Sequence, residues 1–301
     1  MSLLVLILVL ASALLHVSWN TLVKGCQDKL SFAWLTTVAG NAVLLPALLF
    51  WRLYAGGLPL VGADPQVILW AAVSALFETL YIAWLFRAYA EADLSLVYPI
   101  SRGAAPVVTL ALAGVLIGDT VTANQAVTVA VVVAGTFLVT LSAEAGGKAS
   151  LAGRFTARGV ALSMATGCAI AGYHLADRKA MSLGLPPDPL DYLCLMHIFM
   201  SLFVTIWAWR LRPNWRHLAA AWTCNARDVV LVAVFTPLSY FLIVLALQHG
   251  NVVLITAARN VGILFSTLVG AFVLREHVSK ARGWGSGLIV AGLAAMAILN
   301  S

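Results

Sequence analysis

Residues 3–23 read LLVLILVLASALLHVSWNTLV, an apolar run that is long enough to cross a bilayer as a single helix. Similar runs fill a chain of 301 residues, of which 62% are hydrophobic and only 10% are charged. Soluble domains carry about 25% charged residues, so this composition indicates an integral membrane protein. Because the first run has no charged leader and no small-residue cleavage site, we expect it to remain as a span rather than to be removed as a signal peptide.

Ten apolar runs of this kind predict an all-α membrane protein with ten transmembrane helices. The runs lie near residues 3–23, 31–53, 66–90, 95–117, 122–142, 157–181, 189–210, 228–248, 251–274 and 281–300. The connections between them are short, so we expect no separate soluble domain.

The two halves of the chain repeat each other at an offset of 157 positions, which places Arg102 on Arg259 and superposes the span boundaries. We therefore predict two five-helix repeats, at residues 1–145 and 155–301. Because five is an odd number, the second repeat crosses the membrane in the opposite direction, and the repeats are inverted. Inverted repeats are typical of secondary transporters, whose site lies near the middle of the membrane and whose repeats rock to give alternating access.

Basic residues concentrate in the connections that follow odd-numbered spans, whereas the even connections hold little beyond Arg52 and Lys179. The basic residues on the odd side include Lys24, Lys29, Lys148, Arg154, Arg212, Arg216, Arg275, Lys280 and Arg282. The positive-inside rule then makes the odd connections cytoplasmic and places both termini outside a bacterial inner membrane. We assign the net charge of +6 to loops near anionic membrane lipids and expect no nucleic-acid partner.

The sequence contains no motif of enzyme chemistry: no Ser/His/Asp order, no HExxH, no P-loop and no glycine-rich nucleotide fingerprint. Cys26, Cys168, Cys194 and Cys224 stand alone, without metal-ligand spacing or a disulfide framework. We therefore expect no enzyme activity, no cofactor and no metal site.

A short connection with one acidic residue, which we call the acidic step, follows the fourth helix of each repeat and precedes a glycine-rich fifth helix. It reads IGDTVT at residues 117–122 and LREHVS at residues 274–279. With ten spans in two repeats, this pattern resembles the EamA family of the drug/metabolite transporter superfamily over essentially the whole chain. The resemblance implies a bundle in which helices one to four and six to nine line a central cavity, while the fifth and tenth pack to the side. It implies little about cargo, because the superfamily exports amino acids, drugs, sugars, nucleotide sugars and phosphorylated metabolites.

The first helix departs from one pattern of that superfamily. Small multidrug-resistance proteins carry a glutamate eight residues before a lysine, where this chain has His16 before Lys24. Exchange of cations for protons on that carboxylate is therefore not expected, although a histidine titrates near neutral pH. The segment LLHVSWNTLVKG, residues 14–25, also resembles EamA proteins encoded beside phosphonate-utilisation genes.

Arg102 and Arg259 lie at equivalent positions of the fourth helix in each repeat, and charged side chains inside spans face cavities or partners. We predict that both point toward the pseudo-two-fold axis and bind an anion, because guanidinium forks bind carboxylate or phosphonate oxygens bidentately and stay protonated. Pro99 and Pro106 free backbone carbonyls around Arg102, which is tolerated where the backbone faces protein or a wet cavity.

In the alternative interpretation, each arginine pairs with a carboxylate such as Glu78 or Asp177 and only ties helices together. Glu78 would then neutralise Arg102, although it is also a candidate to carry a coupling proton. Asp177 has two interpretations as well, since it precedes Arg178 and Lys179 and would suit a solvated helix end.

Other polar and aromatic side chains complete the predicted site. His16, Asn20 and Lys24 recur every fourth residue, extended by Ser12, so they form one face of the first helix that lines the cavity or bonds to another helix. In the sixth span, Tyr173 takes the position of His16. The predicted substrate-binding residues are Arg102, Arg259, His16, Asn20, Trp19, Glu78, Tyr98, Tyr81, Tyr173, Asp177, Tyr240 and Asn260. The aromatic members have packing as their alternative role.

Two GxxxG spacings, Gly114 with Gly118 and Gly283 with Gly287, predict close helix packing. The protein is expected to be a monomer or a homodimer through its fifth and tenth helices.

The leading hypothesis is a secondary transporter for a small anionic or zwitterionic metabolite, with the two arginines as an anion clamp. The alternatives are an exporter of amino acids or amphipathic drugs, with structural arginines and an aromatic pocket, and a lipid-carrier flippase or its subunit.

Overall fold

The computed structural model describes residues 1–24, 28–56, 64–92, 94–142, 156–212, 214–272 and 279–299. Within these ranges the chain is helical and contains no strand, which confirms the predicted all-α class. The helices are α1 (Leu3–Lys24), α2 (Lys29–Ala55), α3 (Pro65–Glu91), α4 (Leu94–Leu116), α5 (Ala123–Ser142), α6 (Ala157–Met181), α7 (Pro189–Leu211), α8 (Trp215–His249), α9 (Val252–Ala258), α10 (Val261–Phe272) and α11 (Lys280–Leu299).

Eight of the described helices are long and apolar enough to cross a membrane, and the remaining apolar segments are α5 and the α9–α10 pair. The ninth span was expected as one helix over residues 251–274, but it is interrupted at Arg259 and Asn260. Counting α9 and α10 as one interrupted crossing, the described helices correspond to the ten predicted spans.

The outer surface of the bundle is apolar. Large side chains such as Phe50, Val115 and Trp284 are 74%, 83% and 75% exposed. Exposed apolar surface on this scale indicates contact with lipid rather than with water.

Helix contacts in the first half of the chain have counterparts in the second half. Helix α1 packs on α8 as α6 packs on α3, and α2 packs on α8 as α7 packs on α3. Equivalent helices of the two halves also meet each other, in the pairs α2–α7, α4–α9 and α5–α11. The halves are therefore interleaved around one shared core, and their inversion stays a prediction. The predicted boundary between the repeats, residues 145–155, lies outside the described residues.

Helix starts are set by capping side chains. The carboxylates of Asp64 and Asp188 accept hydrogen bonds from the first turns of α3 and α7, and a proline follows each of them. Asp28 caps α2 and also pairs with Arg212 at the end of α7. Burial acts to raise the pKa of Asp28, but hydrogen bonds from Ser31 and the charge of Arg212 outweigh burial and lower that pKa.

Helices α5 and α11 pack closely on each other to one side of the bundle, through glycines that the sequence analysis did not select. A Cβ at Gly135 would lie 2.8 Å from the Gly285 carbonyl oxygen, and a Cβ at Gly285 would lie 2.6 Å from the Val139 nitrogen. The predicted packing roles of Gly283 and Gly287 are wrong, because nothing lies within 4 Å of a Cβ at either position. They sit two residues from Gly285, which is about 200° around the helix, so they face outward.

Gly114 and Gly118, the other pair predicted for close helix packing, also have a different role. A Cβ at Gly114 would have only the Asp119 carbonyl oxygen in reach, at 3.7 Å, and Gly118 has open space around it. Gly118 instead adopts a φ of 82° just after α4, a left-handed conformation that glycine accepts without steric cost.

Asp119, in the acidic step after α4, ties four segments together. Its carboxylate accepts hydrogen bonds from Arg178 at 3.2 and 3.3 Å, and Arg178 also donates to the Leu247 carbonyl at 2.8 Å. The Val252 N–H at the start of α9 lies 3.5 Å from the same carboxylate. The α4–α5 turn is thus fixed to the ends of α6 and α8 and to the start of α9. The corresponding residues of the second acidic step, Arg275 and Glu276, lie outside the described residues, as do Lys148, Arg154 and the side chain of Lys24.

The glycine packing predicts opposite effects for two substitutions in α11. We expect Gly285→Ala to lower the free energy of unfolding by about 1–3 kcal/mol, because the added methyl overpacks the α5–α11 contact. The matched control Gly283→Ala adds the same methyl into open space and should leave stability unchanged or raise it by up to about 1 kcal/mol through helix propensity. Thermal unfolding in detergent measures both. Equal midpoints for the two variants would contradict this packing.

The Asp119–Arg178 pair is expected to stabilise the fold because it is largely shielded, with side-chain exposures of 11% and 19%. We expect Asp119→Asn to cost about 1–3 kcal/mol, since it weakens hydrogen bonds to a charged group and leaves Arg178 underpaired. The control is Arg158→Ala, which removes an ion pair to Glu91 whose arginine is 74% exposed and should cost less than about 1 kcal/mol. Comparable losses in thermal stability for the two variants would show that the pair has no special role.

Candidate functional site

One narrow cleft in the bundle contains both arginines of the predicted clamp. Arg102 comes from the proline-containing helix α4, and Arg259 comes from the interruption between α9 and α10. The cleft is lined by Ser12, Ala13, His16, Val17, Asn20, Tyr98, Arg102, Arg259, Asn260, Gly262, Ile263 and Ser266. We call this group the arginine cleft. It contains six of the twelve predicted site residues, and three members of the polar face predicted on α1 line it: Ser12, His16 and Asn20.

Each arginine bonds to a histidine on the first helix of its own repeat. Arg102 Nη2 lies 2.9 Å from His16 Nε2, and Arg259 Nη1 is hydrogen-bonded to His174 Nε2. A guanidinium only donates, so both Nε2 atoms accept and both rings are neutral in these contacts. The proton of His174 is then on Nδ1, which donates to the Thr256 hydroxyl at 2.9 Å.

His174, which bonds to Arg259, is missing from the predicted set. The offset of 157 matches His16 with Tyr173, but the structure uses the next residue instead. One position turns a side chain by about 100° around a helix, so Tyr173 points to a different neighbour. The sequence does contain a signal for this residue, because a histidine lies one residue after the position that corresponds to His16.

The arginines keep free donors. Arg102 lies over the Tyr98 ring and Arg259 over the Tyr240 ring, each at 5.6 Å from the ring centroid. Within the described ranges neither guanidinium forms an ion pair, and the histidine contacts use one nitrogen of each. The alternative interpretation, in which the arginines pair with Glu78 or Asp177, is therefore wrong for this conformation. Two positive charges remain without a counter-charge in direct contact.

A hydrogen bond joins the two arginine-bearing segments. Pro106 has no N–H, so the Arg102 carbonyl four residues earlier loses its helical partner. The Asn260 side chain donates to that carbonyl at 3.3 Å. The prediction that a proline frees a carbonyl next to Arg102 is thus confirmed, and the break in the ninth span supplies the group that satisfies it.

A second group of predicted site residues lies next to the arginine cleft. Asp177 is fully buried and accepts hydrogen bonds from Tyr240 and from Tyr192, the latter at 2.8 Å. The interpretation of Asp177 as a solvated helix end is therefore wrong, because its side chain is buried, whereas the neighbouring Arg178 pairs with Asp119. Tyr192 was missed, since a single tyrosine at the start of an apolar run gives no signal of its role.

Tyrosine rings surround this carboxylate. The Tyr173 ring contacts Tyr81 at 6.2 Å and Tyr240 at 5.9 Å, both edge to face. We call Tyr81, Tyr173, Tyr192 and Tyr240 the tyrosine cluster. Arg259 lies over the Tyr240 ring and also lines the arginine cleft, so the two groups are continuous.

Glu78 lies on α3 beside the tyrosine cluster. Its side chain is half-buried and makes no hydrogen bond or ion pair with any residue that the structure describes, so its expected pairing with Arg102 does not occur. Glu78 is therefore a carboxylate with no bonded partner among the residues that the structure describes.

Trp19 is a predicted site residue that belongs to neither the arginine cleft nor the tyrosine cluster. Its ring packs edge to face on His16 at 4.7 Å, and its indole N–H is buried with no hydrogen-bond partner in the described structure. The Trp19 ring therefore packs against the His16 ring without lining the cleft.

Comparison with known proteins agrees with this architecture. Residues 157–298 match the model of the EamA-like transporter family. A crystal structure of a protein that shares 18% sequence identity aligns with a TM-score of 0.77, over 98% of this chain and 96% of that chain, and at this identity the likeness concerns the fold alone. No curated protein sequence matches the chain. The resemblance to EamA proteins encoded beside phosphonate-utilisation genes stays a prediction. The EamA resemblance drawn from the sequence is confirmed over residues 157–298 of this multi-pass membrane protein, which match the EamA-like transporter family.

Proposed function

We propose that the protein is a secondary transporter of the drug/metabolite type that carries a small anionic or zwitterionic metabolite, with Arg102 and Arg259 as its anion clamp. One observation carries this proposal: equivalent arginines of the two repeats line the same cleft, and neither is paired with a carboxylate of the described chain. The EamA match supports the transporter class.

The energetic argument concerns the cost of charge at membrane depth. An arginine at the centre of a transmembrane helix costs about 2.5–3.5 kcal/mol on insertion scales, and such residues are usually paired or functional. Neutral imidazoles hold both guanidiniums in place without cancelling their charge. An anionic group that enters the cleft supplies the missing counter-charge, and the planar fork of each arginine suits carboxylate, sulfonate and phosphonate oxygens.

The placement of the clamp suits alternating access. The Arg102–His16 contact lies within the first repeat and the Arg259–His174 contact within the second. A ligand held by both arginines therefore bridges the repeats at their interface. Rocking one repeat against the other opens the cleft to one side and then to the other while each Arg–His pair stays intact. Because the cleft is narrow, ligand entry requires the lining helices to separate.

We further propose that the protein lies in a bacterial inner membrane with both termini outside. Loop charge supports this orientation, since Lys29, Arg212, Arg216 and Arg282 all belong to connections after odd-numbered spans.

The tyrosine cluster favours a second candidate function, an exporter of amino acids or amphipathic drugs. In that case the aromatic rings would make the pocket and the arginines would only position helices. The ligand classes that bind the purified protein separate the two candidates.

Removal of either clamp residue is expected to abolish anion binding. In detergent, a ligand at a hundredfold excess over its dissociation constant stabilises the wild type by about 2.7 kcal/mol. We expect small carboxylates, sulfonates or phosphonates to give such a shift in thermal unfolding, and Arg102→Ala or Arg259→Ala to lose it.

Arg52→Ala is the matched control, because Arg52 pairs with Asp191 away from the cleft. This variant should lose some stability but keep the full ligand-induced shift. Anions that stabilise Arg102→Ala and Arg259→Ala as strongly as the wild type would refute the clamp, and stabilisation by apolar amines alone would support the second candidate.

A further inference from the structure

We propose that Asp119 and Arg178 form a latch that holds one end of the bundle shut, so that the arginine cleft opens toward the opposite end. We call the end of the bundle where α4, α6 and α8 end the latch end. This inference rests on the proposed function, because a latch is useful to a protein whose cleft opens in turn to the two sides. It adds to that function the residues that decide which side is open.

The contacts of Asp119 cross from the first predicted repeat to the second. Its carboxylate accepts hydrogen bonds from Arg178 Nε at 3.3 Å and from Arg178 Nη2 at 3.2 Å. Arg178 Nη1 donates to the Leu247 carbonyl at 2.8 Å, and this carbonyl belongs to the last turn of α8, where helical partners are missing. A cation at the end of a helix also interacts favourably with the helix dipole. Arg178 therefore caps α8 while Asp119 holds it in position.

The latch also joins the two segments that carry the clamp arginines. The Val252 N–H at the start of α9 lies 3.5 Å from the Asp119 carboxylate. Past the end of α9, the Asn260 side chain donates to the Arg102 carbonyl of α4 at 3.3 Å. The α4 and α9 segments are thus fastened at the clamp and again at the latch end. They separate toward the latch end only when the contacts of Asp119 break.

Burial along the cleft differs between its two ends. All seven residues of α9, which lie between the two fastenings, are buried. The start of α1 lies at the latch end, since a Cβ at Gly250, just after α8, would lie 3.1 Å from Val5. Ala13, the lining residue nearer that end of α1, is buried, whereas Asn20 is half-buried and Ser266 is exposed. The cleft is therefore covered at the latch end and less covered at the other end.

The helix pair α2–α7 is fastened differently, because it has an ion pair between the repeats at each end. Arg52 pairs with Asp191 at the latch end, and Asp28 pairs with Arg212 at the opposite end. An opening movement toward either side meets one of these two ion pairs. The α2–α7 contacts therefore favour neither side.

The opposite end has a further ion pair between the repeats, Glu91 with Arg158. The side chain of Arg158 is 74% exposed, whereas that of Arg178 is 19% exposed. An exposed ion pair contributes little to stability, because water and salt screen it. The Glu91–Arg158 pair therefore does not offset the shielded latch.

The repeat offset provides no equivalent latch for the opposite end. At the offset of 157, Asp119 corresponds to Glu276, but Arg178 corresponds to Thr21. A threonine has no charge, so this ion pair has no counterpart at the equivalent positions of the sequence. The latch therefore favours the conformation that is shut at the latch end. In the proposed orientation the latch end is the outer side, and the cleft opens toward the cytoplasm.

The test measures from which side a thiol reagent reaches the cleft. Val17→Cys places one cysteine in the cleft lining of a full-length chain whose four native cysteines are replaced by alanine. A membrane-impermeant methanethiosulfonate is added to intact cells and to inverted vesicles, and labelling rates are measured on the protein that is folded by size-exclusion chromatography. We expect labelling from the latch side to be at least ten times slower than from the other side.

Asp119→Asn and Arg178→Gln, each added to the Val17→Cys chain, should raise the slow rate at least tenfold. A separate chain with Leu185→Cys identifies the latch side, because Leu185 is 86% exposed in the connection between α6 and α7. The result therefore does not depend on the proposed orientation of the protein in the membrane.

Asp191→Asn is the matched control, since it makes the same change in an ion pair at the same end, with a side-chain exposure of 16% compared with 11% for Asp119. Its labelling rates should equal those of the Val17→Cys chain. The latch is overturned by equal labelling from both sides in that chain, by unchanged rates in Asp119→Asn and Arg178→Gln, or by an equal rise in Asp191→Asn. Labelling needs no ligand, so a one-sided result with no anion binding refutes the clamp and leaves the latch in place.

Discussion

The arrangement of the whole site depends on one backbone carbonyl that a proline leaves without a partner. Pro106 removes the helical hydrogen bond to the Arg102 carbonyl, and the Asn260 side chain replaces it from the break between α9 and α10. An unsatisfied carbonyl inside a membrane costs several kcal/mol, so α4 is held next to the break between α9 and α10. Because Arg102 and Arg259 belong to these segments, the same constraint brings the two guanidiniums to one cleft.

The choice of histidine as the partner of each arginine has a functional consequence. A carboxylate would fix a guanidinium equally well, but it would cancel the charge that an anionic ligand needs. His16 and His174 accept through Nε2 as neutral rings, and Thr256 fixes the tautomer of His174. The arginines are thus oriented without an ion pair in the described part of the chain, as the proposed anion clamp requires.

Much of this architecture could be predicted from the sequence, because spans, the repeat offset and freed carbonyls depend only on composition and on local covalent chemistry. What the sequence did not reveal depends on rotation around helix axes. Gly285 rather than Gly283 meets α5, and His174 rather than Tyr173 meets Arg259. An error of one or two residues moves a side chain by about 100° or 200°, and only the packed neighbours decide which face turns inward.

The two predicted interpretations of Asp177 show the same limit. A carboxylate beside two basic residues suits a solvated helix end equally well as a buried site, and the sequence contains nothing that separates them. In the structure Asp177 is a buried site, because Tyr192 of α7 and Tyr240 of α8 donate hydrogen bonds to its carboxylate. Such contacts join residues far apart in the chain, so no local pattern encodes them.

The acidic residues are distributed unequally between the two repeats, so the site is not symmetric. The arginines obey the repeat symmetry, but the carboxylates do not: at the offset of 157, Glu78 corresponds to Phe235 and Asp177 to Asn20. Both acids therefore belong to the α3–α6 interface, whereas the equivalent α1–α8 interface has none at these positions. A ligand with unlike ends would be held in one orientation relative to the two repeats. Under the proposed alternating-access function, rocking the repeats exchanges the open side without exchanging these residues, so the ligand would keep that orientation throughout transport.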